Sequence, residues 1–216
     1  VFDLDGTLAD TSGDLLKAAN ACFNGLGLGN VLHAPADSGI ALRGGRAMLT
    51  AGFQRVGWQD MTEVDRQYPA LLQAYATDIA SLTVFYPGAL AAVATLREAG
   101  YAVSICTNKP EVLAVQLMEA LGAIDAFDAL VGADTLPVRK PDPAPLWAAV
   151  DRAGGDRSRV CLIGDTVTDR RTAANANVPS VLVTFGPSGG DMAALAPAAM
   201  LENFADLPEV VAQLIG

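Results

Sequence analysis

The 216-residue sequence predicts an α/β fold: a parallel sheet covered by helices on both faces and interrupted, just after its first strand, by a block of helices. Three observations predict it. Continuous apolar runs of strand length, Tyr101–Cys106, Val160–Ile163 and Ser180–Val183, alternate with stretches of helical periodicity, as buried parallel strands joined by crossover helices do. Polar residues gather where these runs stop, at the edge where open α/β sheets bind ligands. Finally, no strand pattern interrupts Thr11 to Ser81, roughly seventy residues that are too many for one crossover connection.

The elements follow in order. Val1-Phe2-Asp3 opens as a strand, Asp3 being its last residue, and the chain bends at Gly6. Because the chain starts without Met and only two residues before Asp3, this strand is expected to begin earlier in the native gene product. Leu15, Ala19, Cys22, Phe23 and Leu26 recur at helical spacing after Thr11 or Ser12, either of which could cap the helix. Gly25, Gly27 and Gly29 end it, and a loop with Pro35 leads to helical stretches at Asp37–Leu42, Arg46–Val56 and Thr62–Ala80. Tyr86-Pro87-Gly88 punctuates the return to the sheet, and Ala89–Ala99 is a helix with Leu90, Val93 and Leu96 on one side. After strand Tyr101–Cys106 come helix Glu111–Leu121, a short strand at Ala129–Val131 and helix Pro145–Ala153. Strand Val160–Ile163, helix Arg170–Asn175, strand Ser180–Val183 and a final helix from about Leu207 complete the chain. Residues Gly186–Gly190 read as a flexible loop. The expected division is residues 1–10 with 82–216 as the sheet domain and 11–81 as an inserted helical domain.

Composition narrows the function. Hydrophobic residues make up 51% and charged residues only 18%, enough apolar surface for a sizeable core and against disorder. A net charge of −10 with no basic run repels a nucleic-acid backbone. No apolar run is long and uncharged enough to span a membrane, and no signal-like segment opens the chain. Cys22, Cys106 and Cys161 have no metal-binding spacing; the last two lie in apolar strands as small buried hydrophobes, and a reduced, cytoplasmic setting is expected. His33 reads as a solvated loop residue, and Trp58 and Trp147 as packing. The expected partner is a small metabolite, with the protein a monomer or homodimer.

The stretch Asp3-Leu4-Asp5-Gly6-Thr7 organises the rest. Alternate side chains of a strand share a face, so with the bend at Gly6 both acids can reach one site at the strand's C-terminal end. Two carboxylates held close repel, which calls for a cation beside them or a proton on one. With magnesium bound, one stays ionised as a nucleophile while the other carries a proton.

This stretch resembles the first motif of the haloacid dehalogenase superfamily of phosphotransferases, and the remaining motifs stand in that superfamily's order: Thr107, Lys140, and Asp165 with Asp169. Taken singly, Thr107 reads as a polar strand end, Lys140 as a loop lysine and Gly164-Asp165 as a turn before a helix. Together and in order they read as one site. The resemblance implies a Rossmann-like three-layer core with a helical cap inserted between the first two motifs. It also implies an Mg²⁺-dependent phosphatase working through an aspartyl-phosphate. Asp3 is then the nucleophile and Asp5 the general acid and base. Thr107 and the backbone N–H of Asn108 bind the phosphoryl group, and Lys140 neutralises it together with Asp3. Asp3, Asp165 and the Asp5 carbonyl are the implied metal ligands, while Asp169 holds Lys140 or a metal-bound water.

Tyr86-Pro87-Gly88, Thr107-Asn108-Lys109-Pro110, Lys140-Pro141-Asp142-Pro143 and Thr184-Phe185-Gly186 look like the phosphoglycolate phosphatase group, which implies a small monophosphate such as 2-phosphoglycolate as substrate. Arg43 beside Gly44-Gly45 is a candidate for gripping a substrate carboxylate. Alternatives are a hexose-phosphate mutase, which keeps all four motifs; a phosphonatase, against which Asp5 argues; and a receiver-like phospho-acceptor that does not turn over, against which length and Asp5 argue.

Overall fold

Residues 1–3 run up the middle of a parallel sheet. Phe2 N–H donates to Ser104 O and Phe2 O accepts from Cys106 N–H, both at 2.8 Å. On the other side Asp3 N–H donates to Ile163 O and Val1 O accepts from Ile163 N–H, also at 2.8 Å. The computed structural model describes residues 1–187 and 189–216. In it the chain forms two units, Val1–Asp10 with Phe85–Gly216, and Thr11–Val84. Short strands β1 (Ala9–Asp10) and β2 (Val84–Phe85) carry the two connections between them.

In the first unit the sheet strands are β3 (Ser104–Cys106), β4 (Ala129–Val131), β5 (Leu162–Gly164), β6 (Ser180–Val183) and β7 (Ala199–Leu201). β3 pairs in parallel with β4, and β5 with β6 and β6 with β7 likewise. Phe2 bridges both Ile105 and Ile163 in parallel, so the spatial order is β4, β3, residues 1–3, β5, β6, β7. The chain therefore builds outward to one side of its opening segment and then to the other. That reversal puts a topological switch point, the usual ligand crevice of a doubly wound sheet, beside residues 1–3.

The observed β3 and β5 are shorter than the apolar runs around them, because pairing starts at Ser104 and Leu162 rather than at Tyr101 and Val160. Strand β7 is not foreseen by the sequence. The loop expected at Gly186–Gly190 falls partly on residue 188, outside the described residues.

Small residues let the covering helices sit close. Ala149 of α7 (labelled with α5 Ala89–Glu98, α6 Glu111–Ala120, α7 Ala144–Arg152, α8 Val167–Ala176 and α9 Leu207–Ile215) packs with Cys106 and Val131. Ala173 of α8 packs with Leu146 and Leu162. Phe2 meets Phe127 edge to face at 6.2 Å. None of these helices is long and apolar enough to cross a membrane, nor is any other among the described residues.

The second unit is helical: α1 (Ser12–Gly25), α2 (Ser38–Ala41), α3 (Gly45–Arg55) and α4 (Glu63–Thr77). Its core centres on Phe23 and Phe53, whose rings meet edge to face at 5.2 Å. Gly52 makes that fit possible, since a Cβ there would lie 2.1 Å from the Phe23 ring. Trp58 stacks at a tilt 5.6 Å from Phe53. Two buried acids pin the loops. Asp37 takes both guanidinium nitrogens of Arg55 at 2.6 and 2.7 Å and the His33 N–H at 2.7 Å. Asp14 accepts from the N–H groups of Leu82 and Thr83 and from the hydroxyls of Ser81 and Thr83.

Candidate active site

The sheet ends deliver the polar residues to one place. After Asp5 the chain turns at once, with Gly6 at φ +82°, a conformation that favours glycine. Its N–H donates to Ala9 O at 2.9 Å while Leu8 N–H donates to Leu4 O at 3.0 Å. This turn buries Thr7 completely and aims its hydroxyl at Asp165 Oδ1, 3.0 Å away.

Asp165 follows β5, and the next helix starts with a capping box. Thr166 Oγ1 accepts from Asp169 N–H at 3.3 Å, while Asp169 Oδ2 accepts from the Thr166 N–H at 3.1 Å and its hydroxyl at 2.5 Å. This cap starts α8 at Val167, three residues before the expected Arg170. Gly164 is required beneath it, because a Cβ at that position would lie 2.4 Å from the Asp169 side chain.

Lys140 arrives from the loop before α7, with only 2% of its side chain exposed. Its Nζ donates to Asp169 Oδ1 at 2.6 Å and lies 3.0 Å from Asp3 Oδ1. Asn108 helps to place this loop, its side-chain amide donating to Lys140 O at 3.0 Å. Thr107, buried at the end of β3, accepts the Lys109 N–H at 3.1 Å. The Lys109 ammonium in turn donates to Asp5 Oδ1 at 2.8 Å.

Of the residues singled out from sequence, Asp3, Asp165 and Asp169 bring one carboxylate oxygen each within 4.8 Å of one another. Lys140 joins two of them, Thr107 and Asn108 stand at the neighbouring strand end, and Asp5 is drawn to Lys109. Arg43 belongs to the helical unit, exposed in the turn before Gly45–Arg55, and its guanidinium has no ion partner among the described residues. Thr7 and Lys109 are the polar residues that sequence reasoning missed. Both lie inside the motifs quoted above, and Lys109 stands just past the end of β3, where a polar residue reaches the ligand edge of the sheet.

Four carboxylates against two ammoniums leave this cluster with a formal excess of two negative charges. Burial raises the Asp3 pKa to about 7, and the charge on Asp169 adds to the rise against the pull of Lys140. Asp165 is raised well above the usual carboxylate range by burial, then by Asp169 and Asp3. Burial also works against the charge on Lys140, but Asp169 and Asp3 outweigh it and hold the ammonium protonated. Asp165 Oδ2 is buried with no hydrogen-bond partner among the described residues. Cys106, beside this cluster, is no rival nucleophile: burial pushes its thiol up to about 11.

A doubly wound parallel sheet whose strand ends gather an acid pair, a threonine, a lysine and a second acid pair defines a hydrolase core for phosphoryl chemistry. The chain belongs to the haloacid dehalogenase-like hydrolases, whose family model matches residues 1–183, and it is a phosphoric monoester hydrolase of that family. It is 35% identical over 208 residues to a phosphoglycolate phosphatase of Agrobacterium fabrum, covering 96% of this chain and 89% of the relative. To a phosphoglycolate phosphatase of Mesorhizobium japonicum it is 39% identical over 207 residues, covering 94% and 90%. A solved structure described as a predicted phosphoglycolate phosphatase from Haemophilus somnus shares the fold, with a TM-score of 0.81 at 23% identity over 97% of this chain and 95% of that one.

Proposed function

We propose that this phosphatase is Mg²⁺-dependent and hydrolyses a small organic phosphate monoester, with 2-phosphoglycolate the first candidate, through an aspartyl-phosphate on Asp3. The observation that carries the reading is the convergence of Asp3, Lys140 and Asp165 from separate parts of the chain onto one buried point. The names of the relatives support the choice of first substrate.

The residues present fit a divalent cation. The unpartnered Asp165 Oδ2, the close carboxylate oxygens and the excess of two negative charges are what an oxygen-bound cation would satisfy. Asp3 and Asp165 would hold it, with the Asp5 carbonyl. Asp169 has less to offer, since Lys140 takes one of its oxygens and the capping box the other. When bound, Mg²⁺ neutralises charge on the carboxylates and on the phosphoryl oxygens.

The protein's own groups do the rest. An Asp3 oxygen attacks phosphorus, and the bond from phosphorus to the ester oxygen breaks as Asp5 gives that oxygen its proton. Water then attacks phosphorus, Asp5 takes the water proton, and the bond to Asp3 breaks to release inorganic phosphate. Lys140 stays protonated beside Asp3 throughout and holds it in place. Thr107 and the Asn108 N–H orient the phosphoryl oxygens. These core groups would meet the same phosphoryl group in every substrate, so we assign recognition of the remainder to the helical unit, as a cap, with Arg43 as its candidate carboxylate-binding residue.

Phosphate release should be measured over a panel of small phosphate esters, with Mg²⁺ and with chelator. Magnesium-dependent release from 2-phosphoglycolate is the expected result. Isomerisation of a hexose phosphate without phosphate release, or release unaffected by chelation, would refute the reading.

A further inference from the structure

The site contains two buried lysines, and each holds a different acid. Lys140 stands between Asp3 and Asp169. Lys109 instead donates to Asp5 Oδ1 at 2.8 Å, with 4% of the lysine side chain and 16% of the aspartate side chain exposed. The backbone of Lys109 is anchored on both sides: its N–H donates to Thr107 Oγ1 at 3.1 Å and its carbonyl accepts from Ala133 N–H at 2.9 Å. Pro110, whose ring fixes φ, follows as the N-cap residue of α6. The ammonium therefore reaches Asp5 on a buried stem from a fixed point.

Asp5 sits at the start of a turn, next to a glycine at positive φ, and its Oδ1 is the oxygen that takes the Lys109 ammonium. A group that must give a proton to an ester oxygen and later take one from water, at nearly the same point, needs its reacting oxygen kept in register.

We propose that Lys109 is the positioning residue for Asp5: by holding Oδ1 it directs the other carboxyl oxygen to the leaving group and then to water. This rests on the reading of Asp5 as proton donor and acceptor given above. Lys109 acts through Asp5, so its loss should be felt most where protonation of the leaving group matters most. A lysine that served the phosphoryl group or the fold would be missed equally by every ester.

The test compares kcat/KM for p-nitrophenyl phosphate, whose leaving group departs with little help, with kcat/KM for the best alkyl ester of the panel, which needs the proton. The ratio of the two does not depend on how much of a variant is folded. For Lys109→Met, close in shape and without charge, the alkyl-to-aryl ratio should fall by roughly tenfold or more, in the direction of the loss in Asp5→Asn and within the roughly 10²- to 10⁴-fold scale of general acid catalysis. Lys109→Arg, which keeps a cation, should recover most of the ratio, and Lys109→Gln serves as a second neutral variant. If Asp5→Asn shifts the ratio and both neutral Lys109 variants leave it at the wild-type value, Lys109 does not position Asp5 and the proposal falls alone. If Asp5→Asn itself leaves the ratio unmoved, the assignment of Asp5 fails and the proposal fails with it.

Discussion

Asp169→Asn tests how the buried charges are held. The two carboxylate oxygens of Asp169 face donors on both sides: Lys140 Nζ on Oδ1 at 2.6 Å, and on Oδ2 the Thr166 hydroxyl at 2.5 Å, the Thr166 N–H at 3.1 Å and the Asp165 N–H at 3.3 Å. Asparagine has only one acceptor oxygen. Whichever way the amide is turned, its NH₂ must face either the ammonium or the cap donors, and the side chain is fully buried with no room to move away. Breaking a buried ion pair by altering one partner costs about 3–5 kcal/mol. Here the change also removes a negative charge that both Asp3 and Asp165 feel, which offsets part of the loss, so the expected cost is about 3 kcal/mol. Urea unfolding followed by Trp147 fluorescence in a Trp58→Phe background reads the sheet unit alone. With a urea slope of roughly 2–3 kcal/mol per molar, the midpoint should fall by about 1 M or slightly more. A cost under about 1 kcal/mol would show that Asp169 carries no net share of the buried network and would refute this account of Lys140.

Asp3→Asn should lower turnover by at least roughly 10³-fold while the fold persists, because the amide is nearly isosteric but cannot attack phosphorus; phosphate release and circular dichroism check the two halves. Magnesium at a hundredfold excess over its dissociation constant should stabilise the wild type by about 2.7 kcal/mol, and Asp165→Asn should abolish most of the resulting rise in melting temperature. The Arg55 hydrogen bond holds the Asp37 carboxyl down at about 2 in the folded protein. A depressed acid stabilises above its ordinary pKa and loses that contribution as pH falls through the folded value. With the Arg55 side chain 45% exposed, Asp37→Asn should therefore cost roughly 1 kcal/mol at pH 7, with the difference from wild type shrinking between about pH 4 and pH 2 in melts followed at Trp58. If the substrate is a phosphorylated acid, Arg43→Ala should lose roughly 1.5–3 kcal/mol of discrimination against an ester lacking the carboxylate, with aryl phosphate hydrolysis little changed; equal losses in kcat/KM would remove Arg43 from recognition.

The sequence showed most where one residue type repeats a simple physical demand. Strands Ala129–Val131 and Ser180–Val183 stand where the sequence predicts them; Ser180–Val183 is buried along its whole length, as a covered parallel strand is, while Ala129–Val131 is buried only at Val131. Where the demand is shared with neighbours, the reading slips. Ala199–Leu201 lies in an alanine-rich stretch without strand propensity, and it is a strand because β6 offers an edge to pair with, a fact about another part of the chain. The start of α8 slips for a different reason. Thr166 and Asp169 have capping-box spacing, and because their side chains close that box the helix starts at Val167 rather than at Arg170.

The candidate site divides along the same line. A motif states which groups arrive at the strand ends, since each strand end is local sequence, but it does not state how they pair once there. Nothing in the spacing from Asp5 to Lys109 or from Thr7 to Asp165 reveals that these side chains meet, because the meeting depends on the spatial order β3, residues 1–3, β5, which sequence order conceals. Lys109 is 104 positions from Asp5 and Asp165 is 158 positions from Thr7, yet each pair stands at the ends of neighbouring strands, and the pairing of two lysines with separate acids follows from that order. On the mechanism proposed above, an acid in such a centre takes its task from the groups beside it: Asp3, 3.0 Å from Lys140 Nζ and grouped with Asp165, would attack, and Asp5, held by Lys109, would move protons.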